Sequence, residues 1–148
     1  MKEIQIKKYI IYFFGVAILL FILNKLYVGP WILENELSGF ALILTNSIPN
    51  FFEAIIVSLI LTGIFLQIRL FYLSKTRTIK DIYIYILSFF LASIYVISQE
   101  LKFHNLGGNN IYDPYDLVAS IIGLMLTFGV IQLFGFINKS ETEIRDKD

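Results

Sequence analysis

The chain has 148 residues, is 57% hydrophobic and balances 12 Lys and Arg against 12 Asp and Glu, for a formal net charge of zero. Its mean hydropathy of +0.71 lies outside the range of soluble domains, and its length suits one domain. With no cysteine and one histidine, His104, it excludes disulfides, thiolate metal sites, thiol catalysis and a multi-histidine metal centre.

In chain order, four apolar blocks at 9–28, 49–68, 82–99 and 116–137 approach the roughly 20 residues needed to cross a hydrocarbon core about 30 Å thick. Lipid cannot satisfy backbone polar groups, so each block is expected to be a helix. Lys2, Lys7 and Lys8 precede the first block. That run is longer than the apolar region of a signal peptide, and "NKLYVGPW" holds no small-x-small cleavage pattern, so it is expected to stay as an anchor. The next stretch, "GPWILENELSGFALILTNSIPN", has a polar patch at Glu34 to Glu36 and an apolar run at 40–44 too short to span. It predicts a short interfacial or shallow re-entrant helix, ending before Pro49 opens the second spanning helix. "LGGNN" predicts a turn before the fourth block. The fold expected is all-α: a polytopic membrane protein with four transmembrane helices over residues 1–137 and that short helix in the first outer loop. The charged end "NKSETEIRDKD" predicts a solvated cytoplasmic tail over 138–148.

Charge placement orients the spans. Lys2, Lys7 and Lys8 lie before the first block, Arg69, Lys75, Arg77 and Lys80 between the second and third, and Lys139, Arg145 and Lys147 after the fourth. Short Lys- and Arg-rich loops stay cytoplasmic. Both termini are therefore expected on the cytoplasmic side of the plasma membrane, with two loops outside. Tyr27, Trp31, Tyr112 and Tyr115 fit an outer aromatic belt, and Tyr72 and Tyr83 an inner one.

This threading gathers Glu34, Glu36, Glu53, Glu100, Asp113 and Asp116 at the outer side, with His104 among them. A structural role covers part of that set. Asp113 suits the N-cap of the fourth helix, Pro114 its first position and Asp116 its third, a variant of the capping box. Glu53 lies one turn past Pro49, about 6 Å into the helix, where an ionisable group should face the bundle or a wet cavity. Asp116, Ser120, Gly123 and Thr127 recur at helical spacing, a stripe that suits either a polar site or close helix packing. Ser88, Ala92, Tyr95 and Gln99 form the matching face of the third helix, and a buried Gln99 would need Asp116 or Asn50 as partner. A polar pocket bounded by Asn50, Glu53, Gln99, Glu100, Asp113, Asp116 and Ser120 follows. No organic cofactor is expected, and a divalent cation enters only through the carboxylates. Phosphate-binding, nucleophile-elbow and zinc motifs are absent, and the basic residues are absorbed by topology, which leaves no nucleic-acid partner.

The segment "YVISQELKFHNLGGNNIYDPYDLVASIIGLMLTF" resembles the C-terminal half of the VanZ-like membrane proteins, and "SIPNFFEAIIVSLIL" their Pro-led second helix. Gln99 matches the family's Gln, Asp113 and Asp116 its Asp-x-x-Asp step, and Gly123 its Gly. The chain departs from the pattern at three positions. Val96 stands where a Glu is expected, Asn110 where an Arg is, and Ser120 where an Asn is. The resemblance implies an envelope protein connected with teicoplanin-type glycopeptide resistance, with the lipid bilayer as surroundings and envelope lipid or glycopeptide-related material as partner. Two functions stay open. In the first, the polar pocket binds or acts on envelope material, with Asp113 and Asp116 as acid–base or cation-binding groups and Gln99 orienting the substrate. In the second, the chain is a non-catalytic scaffold or a small subunit of a membrane complex.

Overall fold

A computed structural model describes residues 4–36, 39–72, 79–100 and 113–138, without the side chains of Tyr72 and Glu100. The expectations for His104, Tyr112, the turn at 106–110 and the tail from 139 onward lie outside the described residues, as does the departure at Asn110. The described chain is all-α apart from one isolated antiparallel bridge, Ile6 to Ile137. Its helices are α1 (Lys8–Leu23), α2 (Gly29–Glu34), α3 (Phe40–Tyr72), α4 (Asp81–Glu100) and α5 (Pro114–Phe134), with a π-helical turn (Asn24–Val28) joining α1 to α2.

Four rods are long and apolar enough to cross a membrane: Lys8–Glu34, Phe40–Phe71, Asp81–Gln99 and Pro114–Phe134. Their outward faces carry large apolar side chains such as Phe90, Val118, Ile122 and Met125, each more than half exposed. Water would penalise such a surface, whereas hydrocarbon does not. The protein is a multi-pass membrane protein.

Three boundaries differ from the sequence expectation, the first being that the rod expected over 9–28 runs on through Pro30 to Glu34. The apolar turn at 40–44 is the start of α3 and is continuous with the second span, so Pro49 lies inside a helix rather than at its head. Proline there removes one backbone bond, to the carbonyl of Thr45, yet neighbouring helices let a spanning helix tolerate it. At the other end, α5 stops at Phe134, before 137, because Gly135 turns to a positive φ of 72° and ends the helix.

Helix α3 is the axis of the bundle, packing against α1, α4 and α5, while α4 and α5 also touch each other. One apolar cluster, including Ile10, Ala17, Ile55, Leu59, Leu66 and Ile131, joins α1 and α5 to α3. A second, of Ala54, Ala92, Val96 and Leu124, fills the space between α3, α4 and α5. Three of the hydroxyls buried along these helices are satisfied within their own helix. Thr62 donates to the Ser58 carbonyl, Ser88 to Ile84 and Thr127 to Gly123, each at 2.8 Å. Such back-bonding lets polar side chains lie in a dry interface without a cross-helix partner. Among the described residues no buried side-chain donor or acceptor is left unpaired.

The two ends of the bundle differ in charge. At one end Arg69 of α3 pairs with Asp81 of α4 and donates to the Ile79 carbonyl at 2.9 Å. There the segments flanking α1 and α5 also close on each other. The Lys7 N–H donates to the Phe136 carbonyl at 3.1 Å, and the Asn138 N–H to Gln5 at 2.9 Å. Lys7 and Tyr9 side chains bond the carbonyls of Phe134 and Gly135, which have lost their helical donors. The Phe136 N–H donates to the Tyr85 hydroxyl oxygen at 3.1 Å. Lys7, Lys8, Arg69 and Lys80 share this end, whereas Glu34, Glu36, Glu53, Asp113 and Asp116 belong to the other, with Lys25 the one described basic residue in that half.

Candidate functional site at the acidic end

Helix α5 begins as its sequence dictates. Asp113 is extended (φ −117°, ψ 115°), its Oδ1 accepts the Tyr115 N–H at 2.9 Å, and Pro114 occupies the first helical position. The cap is therefore present. Its expected reciprocal half takes another form: the Asp116 carboxylate accepts the Ser47 hydroxyl of α3 at 2.7 Å. Ser47 is 6% exposed, so this charge-assisted bond ties the heads of two spanning helices across a largely dry contact.

Below that bond, α5 and α3 approach closely. Ser120 is buried and its hydroxyl reaches the Asn50 carbonyl at 3.5 Å, a long contact that orients more than it binds. A Cβ added to Gly123 would sit 2.4 Å from the Phe51 carbonyl oxygen and 3.2 Å from the Ala54 Cβ. Only glycine permits that approach. Asp116, Ser120, Gly123 and Thr127 thus all lie on the α3-facing side of α5, and below Asp116 the stripe is packing surface.

Glu53 belongs to another face. From Ser47 to Glu53 the helix turns through about 240° net, which carries Glu53 away from α5 and toward α4. There its Oε1 accepts the Tyr95 hydroxyl at 3.3 Å, at an exposed site. Gln99, one turn on from Tyr95, is exposed on the same side of α4. The candidates therefore form two groups around α3. Asn50, Asp113, Asp116 and Ser120 lie with Ser47 on the α5 side, while Glu53 and Gln99 lie with Tyr95 on the α4 side. The position of Glu100 closes α4, and its side chain is outside the described set.

Two features of α4 depart from the expected face. Ser88 and Ala92 are fully buried, but the next residue on that side is Val96, at 4% exposure, whereas Tyr95 is 40% exposed and Gln99 is also exposed. Gln99 is thus not buried and pairs with neither Asp116 nor Asn50. The position at which a Glu was expected, Val96, is packed against Ala54, Ala92 and Leu124. No carboxylate occupies the centre of the three-helix contact at that depth. Ser47 was overlooked in the sequence, although its i+3 spacing from Asn50 in "SIPNFFEAI" was the available signal.

No group of three or more His, Cys, Asp and Glu side chains able to hold a metal occurs among the described residues. Comparison with protein-family models, with curated proteins and with solved structures finds no match to this chain.

Proposed function

We propose that the protein is a VanZ-like component of the cell envelope that binds envelope lipid at its acidic end without transforming it, with that end on the outer face of the cytoplasmic membrane. The observation that carries this reading is the state of the two carboxylates nearest the membrane. Asp116 and Glu53 are each satisfied by one hydroxyl from a neighbouring helix, which leaves further lone pairs for a ligand. Val96 supports binding over catalysis. In the family pattern its position carries a Glu, and here it is core, so an interior acid–base pair with Asp116 is missing. The gathering of Lys7, Lys8, Arg69 and Lys80 at the opposite end supports the orientation, with both termini cytoplasmic.

The test is expression in a glycopeptide-susceptible host. The intact protein is expected to raise tolerance to a teicoplanin-type glycopeptide, and Asp116→Asn, at equal membrane abundance, to abolish the gain. Tolerance unchanged by that substitution would remove the acidic end from the function. Loss of the protein from the membrane would instead mark Asp116 as structural only.

A further inference from the structure

Glu53 is an ionisable side chain within a spanning helix, and its depth can be measured from the far end. The rise from Arg69 to Glu53 along α3 is about 24 Å, and that from Asp81 to Tyr95 along α4 about 21 Å. With the Arg69–Asp81 pair at one boundary of a core about 30 Å thick, Glu53 and Tyr95 lie some 6–9 Å inside the other. At that depth a carboxylate normally faces protein or a wet cavity. Here the pair is partly open: Glu53 is half-buried, Tyr95 is 40% exposed and Gln99 is exposed. The helix sides beneath them are apolar. Ile60 and Ile64 continue the Glu53 stripe at i+7 and i+11, and Leu87, eight residues before Tyr95 on α4, lies at the same level, all three exposed.

Among the described residues the carboxylate has no cationic partner. Arg69, at the opposite end, is the sole Lys or Arg in α3, and α4 and α5 contain none. A polar group with no ion pair among the described residues thus heads the apolar seam where α3 and α4 pack, at headgroup depth. From this we propose that the α3–α4 seam binds an outer-leaflet lipid whose headgroup bears a primary ammonium. The ammonium sits on Glu53, Tyr95 and Gln99 supply hydroxyl and amide contacts to the head, and the acyl chain lies along Ile60, Ile64 and Leu87. A primary ammonium offers three donors and a full positive charge, which an anionic head does not. The proposal rests on the envelope-lipid reading above and adds the headgroup class and the route of entry.

The experiment places the full chain in nanodiscs of equal phosphatidylethanolamine and phosphatidylglycerol with identical acyl chains. Lipid still bound after release into detergent is then identified by native mass spectrometry. The expected result is several-fold enrichment of phosphatidylethanolamine over the input ratio, falling to that ratio in Glu53→Gln and part of the way in Tyr95→Phe. Tyr83→Phe, at the basic end, should leave it unchanged. Should Glu53→Gln fail to accumulate, Tyr95→Phe and Gln99→Ala alter only exposed partners and give the same readout. Bound lipid at the input ratio, enrichment that survives Glu53→Gln, or a membrane protein seated stoichiometrically on the seam overturns the ammonium assignment. Retention of neither lipid overturns the envelope-lipid reading with it, so the two failures are distinguishable.

Discussion

Helix α3 meets α5 and α1 by different means. Toward α5 it presents Ser47, Asn50, Phe51 and Ala54 to Asp116, Ser120 and Gly123, and the backbones come close enough that no Cβ fits at position 123. Toward α1 the contact rests on apolar side chains such as Ile10 and Ala17. Gly15 of α1 has open space around it, with nothing within 4 Å of an added Cβ, and the polar bonds that fix α1 are confined to its Lys7 and Tyr9 end. Hydrocarbon gives helices little hydrophobic reason to associate. Tight association must therefore come from small residues and cross-helix hydrogen bonds, and α5 has both. The acidic end is consequently positioned by the α3–α5 contact, with α1 attached alongside.

Breaking the close contact should produce the largest effect. Gly123→Leu forces a side chain against the Phe51 carbonyl and is expected to cost about 3 kcal/mol, seen as a lower unfolding midpoint in detergent and reduced membrane yield. Asp116→Ala leaves the buried Ser47 hydroxyl without its acceptor and should cost about 2 kcal/mol. A double-mutant cycle with Ser47→Ala would return most of that as coupling. Tyr85→Phe, which removes the acceptor of the Phe136 N–H, is expected to cost about 1 kcal/mol. It should also speed proteolysis at the junction between α5 and the tail. Gly15→Ala on α1 should not lower the midpoint at all: an added Cβ meets open space, and helix propensity favours alanine by up to about 1 kcal/mol. A midpoint loss for Gly15→Ala as large as that for Gly123→Leu would erase the distinction between the two contacts.

Much of this arrangement was legible in the sequence because a spanning helix is announced by length and apolarity alone. The four spans, their alternation with basic loops and the Asp113 cap on Pro114 all follow from local composition. Helix ends were less legible. Pro49 reads as a start signal, but packed neighbours let α3 run through it. Gly135, which stops α5, is embedded in the apolar string "LFGFI", where its left-handed turn has no distinct sequence mark. Facing was hardest to read. Tyr95 and Val96 are adjacent, and helical spacing from Ser88 and Ala92 admits either as the inward residue. Packing against Ala54 and Leu124 selects the apolar one and sends Tyr95 outward to Glu53. The Ser47–Asp116 bond joins residues 69 positions apart, a pairing that no local pattern encodes.

The central claim is that α3 and α5 are joined at their acidic heads through Ser47 and Asp116. Because the chain has no cysteine of its own, a Ser47→Cys/Asp116→Cys variant oxidised in intact membranes reads that contact directly. Rapid, near-complete formation of an intramolecular disulfide is predicted, with no such bond when the second cysteine is moved to Val118 on the exposed side of α5. Failure of the 47–116 pair to cross-link in a folded, membrane-inserted protein, or equal cross-linking through position 118, would contradict the account.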